Sequence, residues 1–61
     1  MTPKQEHYTL LTAIKHGGGF MSVLAEAALH ADDENRSRLF AAFPELFYRF
    51  GPQTGLYNEE L

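Results

Sequence analysis

Between Tyr8 and Phe50 the apolar positions recur at helical intervals, and nowhere do they alternate as in a half-buried strand. Tyr8, Leu11 and Ile14, with Leu10 beside them, mark one face of a first helix. Thr2-Pro3-Lys4-Gln5 stands ahead of it as a capping box, with Thr2 at the N-cap, Pro3 at N1 and Gln5 at N3. Lys15 and His16 fall in the last turn, where cations suit the helix dipole, and Gly17 is placed to close the helix in left-handed conformation. The pattern predicts a helix over 3–16, with Gly18 and Gly19 as the connection to the next.

A second helix is predicted from Phe20 to His30. Phe20, Met21, Val23, Leu24, Ala25, Ala27, Ala28 and Leu29 leave only Ser22, Glu26 and His30 as a narrow polar stripe. A helix apolar nearly all round is expected to be buried, which makes this one the central element. Asp32 is a suitable N-cap for a third helix over 33–43, with Leu39, Phe40 and Phe43 inward. Pro44 disfavours helical geometry at Phe43 and can itself open a short fourth helix over 44–50, with Gly51 as its cap and Pro52 as its stop. Beyond it, Thr54-Gly55 has turn chemistry, and Leu56 and Tyr57 either dock back or leave the tail frayed. The expected fold is all-α: a small bundle of three helices plus a short fourth, with helix two central. Residues 1–51 form the domain and 52–61 a partly docked or flexible tail.

Length bounds the rest. A chain of 61 residues holds one domain and leaves little material for a deep catalytic cleft. It has no Cys, so disulfides and Cys-based zinc modules are excluded. No apolar run approaches the ~20 residues of a membrane span. Met1 to Glu6 lacks the basic-then-apolar order of a signal peptide. The expected compartment is the cytoplasm. A net charge of −3 makes nucleic acid a poor default partner.

Candidate chemistry is sparse. Gly17-Gly18-Gly19 lacks the preceding strand and the Gly-Lys-Ser/Thr end of a phosphate loop, and reads as a cap and tight turn. His7, His16 and His30 are not at metal-chelating helical spacing from one another. His30 beside Asp32 is explained by its place at a helix C-terminus. Ser22 and His30 lie two turns apart, too far for a nucleophile and its base. The acids cluster at a helix start rather than across a cleft. No cofactor, metal or catalytic residue is expected, and the reading is non-enzymatic.

Charge and aromatics point to surfaces. Residues 20–34 sum to −4 through Glu26, Asp32, Asp33 and Glu34, while 35–51 sum to +2. Asp32–Arg36, Glu34–Arg38 and Glu45–Arg49 are i, i+4 pairs in the favourable acid-first order. Most of Phe40, Phe43, Phe47 and Phe50 must be core. Tyr8, Tyr48, Tyr57 and Arg49 are expected at the surface, and Tyr and Arg are the types in which binding hot spots are enriched. The candidate partner-binding residues are Tyr48, Arg49 and Tyr57, with Arg38, Glu26 and Asp33 on an alternative face formed by the polar stripe of helix two and the acidic turn.

One stretch carries a resemblance. Lys15-His16-Gly17-Gly18-Gly19-Phe20, Leu24-Ala25-Glu26-Ala27-Ala28, Ala31-Asp32, Glu34-Asn35 and Ala42-Phe43-Pro44-Glu45-Leu46-Phe47 with Arg49 together resemble small helical proteins of tailed bacteriophages and prophages. The likeness covers about residues 15–51 and brings no activity or site residues. It implies a context in which tiny proteins act by binding host or phage proteins, some as inhibitors. The expected function is therefore a non-enzymatic protein-binding module. A helix-turn-helix-like nucleic-acid binder and a homo-oligomeric accessory protein, such as a homodimer pooling helix faces, are the alternatives. The acids opening helix three oppose the first of these.

Overall fold

The computed structural model describes all 61 residues and contains four α-helices and no strand. They are α1 (Pro3–His16), α2 (Gly18–His30), α3 (Asp33–Ala42) and α4 (Glu45–Phe50). The all-α bundle expected from periodicity is the observed architecture. The packing centre is the α1/α2 pair rather than α2 alone: α4 rests on α1, and α3 on α2.

α1 starts as its sequence dictates. The Gln5 N–H donates to Thr2 Oγ1 at 3.1 Å, and the Thr2 N–H donates to Gln5 Oε1 at 3.0 Å. Its fully buried residues are Thr9, Leu10, Thr12 and Ala13, while the expected face of Tyr8, Leu11 and Ile14 is half-buried on the flanks. Two threonines in the core are tolerable because both hydroxyls have partners. Thr12 donates to the Tyr8 carbonyl at 2.7 Å and Thr9 to the Met1 sulfur at 3.6 Å.

The joint between α1 and α2 is tighter than expected. Gly17 stays right-handed at φ −81° and donates its N–H to the Ala13 carbonyl at 2.7 Å. The left-handed residue is Gly18, at φ 73°, so α2 begins there instead of at Phe20. Gly17 is required for a different reason, close approach. A Cβ on it would stand 2.5 Å from the Ala13 carbonyl oxygen and 2.9 Å from Met21 Cβ. Ser22, expected in the polar stripe, is half-buried and donates to the Ile14 carbonyl at 2.9 Å, satisfying one of the last carbonyls of α1.

α3 opens on Asp32, whose Oδ1 accepts from the Asn35 N–H at 2.8 Å. It ends at Ala42, because Phe43 must leave the helical region ahead of Pro44 and does so at φ −126°. Pro44 is the N-cap of α4 rather than its first residue. The short helix inserts Leu46 and Phe50 fully into the core, and the Gly51 N–H closes it by donating to the Phe47 carbonyl at 2.8 Å. Leu10, Ala13, Met21, Ala25, Ala28, Leu46 and Phe50 form the core; Ile14, Leu24, Leu29, Leu39, Phe40 and Phe43 pack around it. The chain beyond α4 turns back on itself. Thr54 donates its N–H and its hydroxyl to the Gly51 carbonyl, at 3.0 and 2.8 Å. Glu59 then reaches Lys4 in the first turn of α1 at 3.5 Å.

Candidate functional site

The acidic turn is occupied with itself. The Asp32 carboxylate caps α3, so the expected Asp32–Arg36 pair is replaced. Arg36 pairs instead with Asp33 one turn away and, through Nε, with Glu6 of α1 at 3.2 Å. Its side chain is only 22% exposed, which makes this link between α1 and α3 part of the scaffold. Glu34–Arg38 forms as expected at 3.1 Å, between two exposed side chains. Glu45 and Arg49 do not pair; the Arg49 guanidinium sits 4.9 Å above the centre of the Phe50 ring. Asp33, Arg38 and Glu26 are all exposed, but Asp33 and Arg38 are already engaged with a neighbour on their own helix.

Tyr48 and Arg49 stand differently. Tyr48 is 71% exposed, and no hydrogen bond engages its hydroxyl within the chain. α4 has two fully buried anchors, Leu46 and Phe50, which fix its rotation and leave Tyr48 and Arg49 outward. The Tyr48 ring is braced edge-on against Phe47 at 5.6 Å, and Arg49 is held over Phe50. Each side chain therefore has one ring contact within the chain and is otherwise open to a partner. No hydrogen bond, ion pair or ring contact links them to Tyr57, Arg38, Glu26 or Asp33.

Tyr57 belongs to the tail. It is half-buried and donates its hydroxyl to Glu59 Oε2 at 2.6 Å. Partial desolvation, then the Glu59 hydrogen bond and charge, push its phenol up to about 12. The same hydrogen bond, aided by Lys4, holds the Glu59 carboxyl below its ordinary value.

α2, expected to be buried nearly all round, carries an exposed apolar surface. Phe20 is 64% and Val23 67% exposed on α2, with Ala27 also exposed and Leu24 half-buried beside them. These four positions follow i, i+3, i+4, i+7 and form one continuous apolar stripe. Phe20 is fixed by an edge contact with the half-buried Phe43 at 5.7 Å. Glu26 and His30 border the stripe on one side. The signal was present in the near-total apolarity of α2. Full burial of such a helix needs neighbours on every side, which four short elements do not provide.

A cleft of about 180 Å³ lies between Pro3, His7, Leu10, Leu29 and Arg36. It is smaller than a typical ligand pocket of roughly 300 Å³ or more, and its one cation already faces two carboxylates. His7 turns its ring edge-on to Tyr8 at 5.1 Å, and no group of three or more metal-ligating side chains comes together in the structure. No helix is long and apolar enough to cross a membrane. Comparison with protein-family models, curated proteins and solved structures gives no match.

Proposed function

We propose that the chain is a non-enzymatic, cytoplasmic protein-binding module that docks on a host or phage protein through Tyr48 and Arg49. The observation that supports this most directly is the exposure of Tyr48 on a helix whose other face is locked into the core. A rigid aromatic beside a positioned guanidinium contributes contact area at little ordering cost, which is the character of a binding hot spot. The partner surface that fits is an apolar pocket for the Tyr48 ring with a carboxylate within reach of Arg49. The resemblance of residues 15–51 to small phage proteins favours a bacterial or phage partner, with inhibition as one outcome of binding. A helix-turn-helix role is disfavoured because Arg36 and Arg38, the cations α3 would offer to phosphates, are both paired with acids.

The test is capture from a bacterial lysate on immobilised wild-type chain, in parallel with Tyr48→Ala and Arg49→Ala. A protein retained by the wild type and lost by both variants supports the reading. Absence of a reproducible partner, or equal retention by all three chains, overturns it.

A further inference from the structure

We infer that the exposed stripe of α2 is the contact between two copies of this chain, paired α2 against α2 in antiparallel fashion about a two-fold axis. This rests on a different face from Tyr48 and Arg49 and stands independently of the partner proposed for them. The stripe is self-complementary. A two-fold axis passing between Val23 and Leu24 sets Phe20 of one copy opposite Ala27 of the other, and Val23 opposite Leu24, with each contact made twice. Large then meets small at the two ends of the seam, and side chains of similar size meet at its centre, so the stripe can pack on its own copy. Ala27 is exposed and has no larger side chain to hold a second helix away, while Phe20 is already positioned by Phe43.

Charge favours the same orientation. The α1–α2 junction carries exposed Lys15 and His16, and Lys15 has no carboxylate partner. The α2–α3 junction, at the opposite end of the same helix, carries Asp32, Asp33 and Glu34, which keep a net charge of −1 after Arg36 and Arg38 are counted against them. Antiparallel pairing lays the basic junction of each copy beside the acidic junction of the other. A parallel arrangement would set acids against acids, so the charges choose the orientation. Glu26 and His30 flank the seam without facing their own counterparts.

Area sets the strength of the contact. The monomer exposes 3777 Å², and a standard interface removes ~800 Å² from each partner, about a fifth of that surface. A single seam along α2, ~20 Å long at ~1.5 Å per residue, supplies less than this. The pairing is therefore expected to be reversible, with a dissociation constant of about a micromolar or weaker.

Sedimentation equilibrium of the full chain from ~0.1 µM to ~1 mM covers that range. The expected result is a mass rising from monomer to dimer in the wild type and staying monomeric in Val23→Glu, with unchanged helical circular dichroism. If Val23→Glu loses helicity, Ala27→Lys, at an exposed position, takes its place. Lys15→Glu is expected to weaken the dimer at least several-fold at low salt and less at high salt. A monomer mass throughout overturns the inference. So does a dimer insensitive to substitution at 23 and 27, or a mass that grows past two copies.

Discussion

Replacing Phe50 by alanine tests whether α4 is held by its two core side chains. Phe50 is 1% exposed and is the largest fully buried side chain in the protein. A Phe→Ala change at such a site costs ~3–5 kcal/mol through lost transfer free energy and the cavity left behind. Loss of the ring beneath Arg49 adds ~0.5–1 kcal/mol, at the low end because the guanidinium is exposed. The six residues of α4 are too few to be helical without docking, and only Leu46 would remain to dock them. A domain of this length has roughly 3–9 kcal/mol in total, at ~0.05–0.15 kcal/mol per residue. A loss of about 5 kcal/mol would therefore remove half or more of it. Urea denaturation followed by far-ultraviolet circular dichroism measures the change, with Tyr48→Ala as the surface control, expected within ~0.5 kcal/mol of wild type. Phe50→Leu, which keeps most of the apolar volume, should fall between them and remains measurable if the alanine variant is unfolded. A Phe50→Ala loss below ~1.5 kcal/mol, or one no larger than that of Tyr48→Ala, would refute the assignment of Phe50 as the anchor.

Other outcomes follow from the same contacts. Ser22→Ala should cost about 1 kcal/mol in urea denaturation, because it leaves the Ile14 carbonyl without its donor at a half-buried joint. At the same joint Gly17→Ala should destabilise through collision with the Ala13 carbonyl and Met21. Gly18→Ala meets no atom within 4 Å and should cost only the left-handed backbone term of ~1–2 kcal/mol. Thermal unfolding of the two variants separates collision from backbone strain. The tail should respond to pH in opposite senses at its two groups. The Tyr57 phenol is raised to about 12, so its contribution is present below its ordinary value of 10.0 and is lost as pH rises through about 12. Glu59 is lowered, so its contribution is present above the ordinary carboxylate value and is lost as pH falls through the lowered one. An ultraviolet phenol titration should show a late ionisation near pH 12 that moves down in Glu59→Gln. An unmoved curve in that variant would remove the hydrogen bond as its cause.

Where local chemistry decided the structure, the residues could be read directly. The Thr2–Gln5 box, the Asp32 cap and the break before Pro44 each depend on groups within four positions of one another, and each forms. Where two neighbouring residues offer the same local solution, tertiary contacts choose between them. Gly17 and Gly18 are equally able to take a left-handed conformation, and the choice falls to Gly18 because Gly17 must lie against Ala13 and Met21. Arg36 shows the same limit over a longer range. An i, i+4 rule pairs it with Asp32, but Asp32 is more useful to the backbone N–H of Asn35, and Glu6 approaches only once α1 and α3 are in place.

The candidate surfaces divide along the same line. Tyr48 was legible as exposed because Phe40, Phe43, Phe47 and Phe50 recur at i, i+3 or i+4 and Tyr48 lies off that line. The α2 stripe was not legible, since apolar periodicity reports what a helix prefers to bury and not how many neighbours it will have. α2 received α1 on one side and α3 on another, while α4 went to α1. Phe20, Val23 and Ala27 were left without cover inside the monomer. A chain that keeps such a face at no evident benefit to its own fold has either an unrelieved liability or a missing partner. Laid against its own reverse the stripe sets Phe20 on Ala27, so loss of self-association in Ala27→Lys is the observation that separates these two cases.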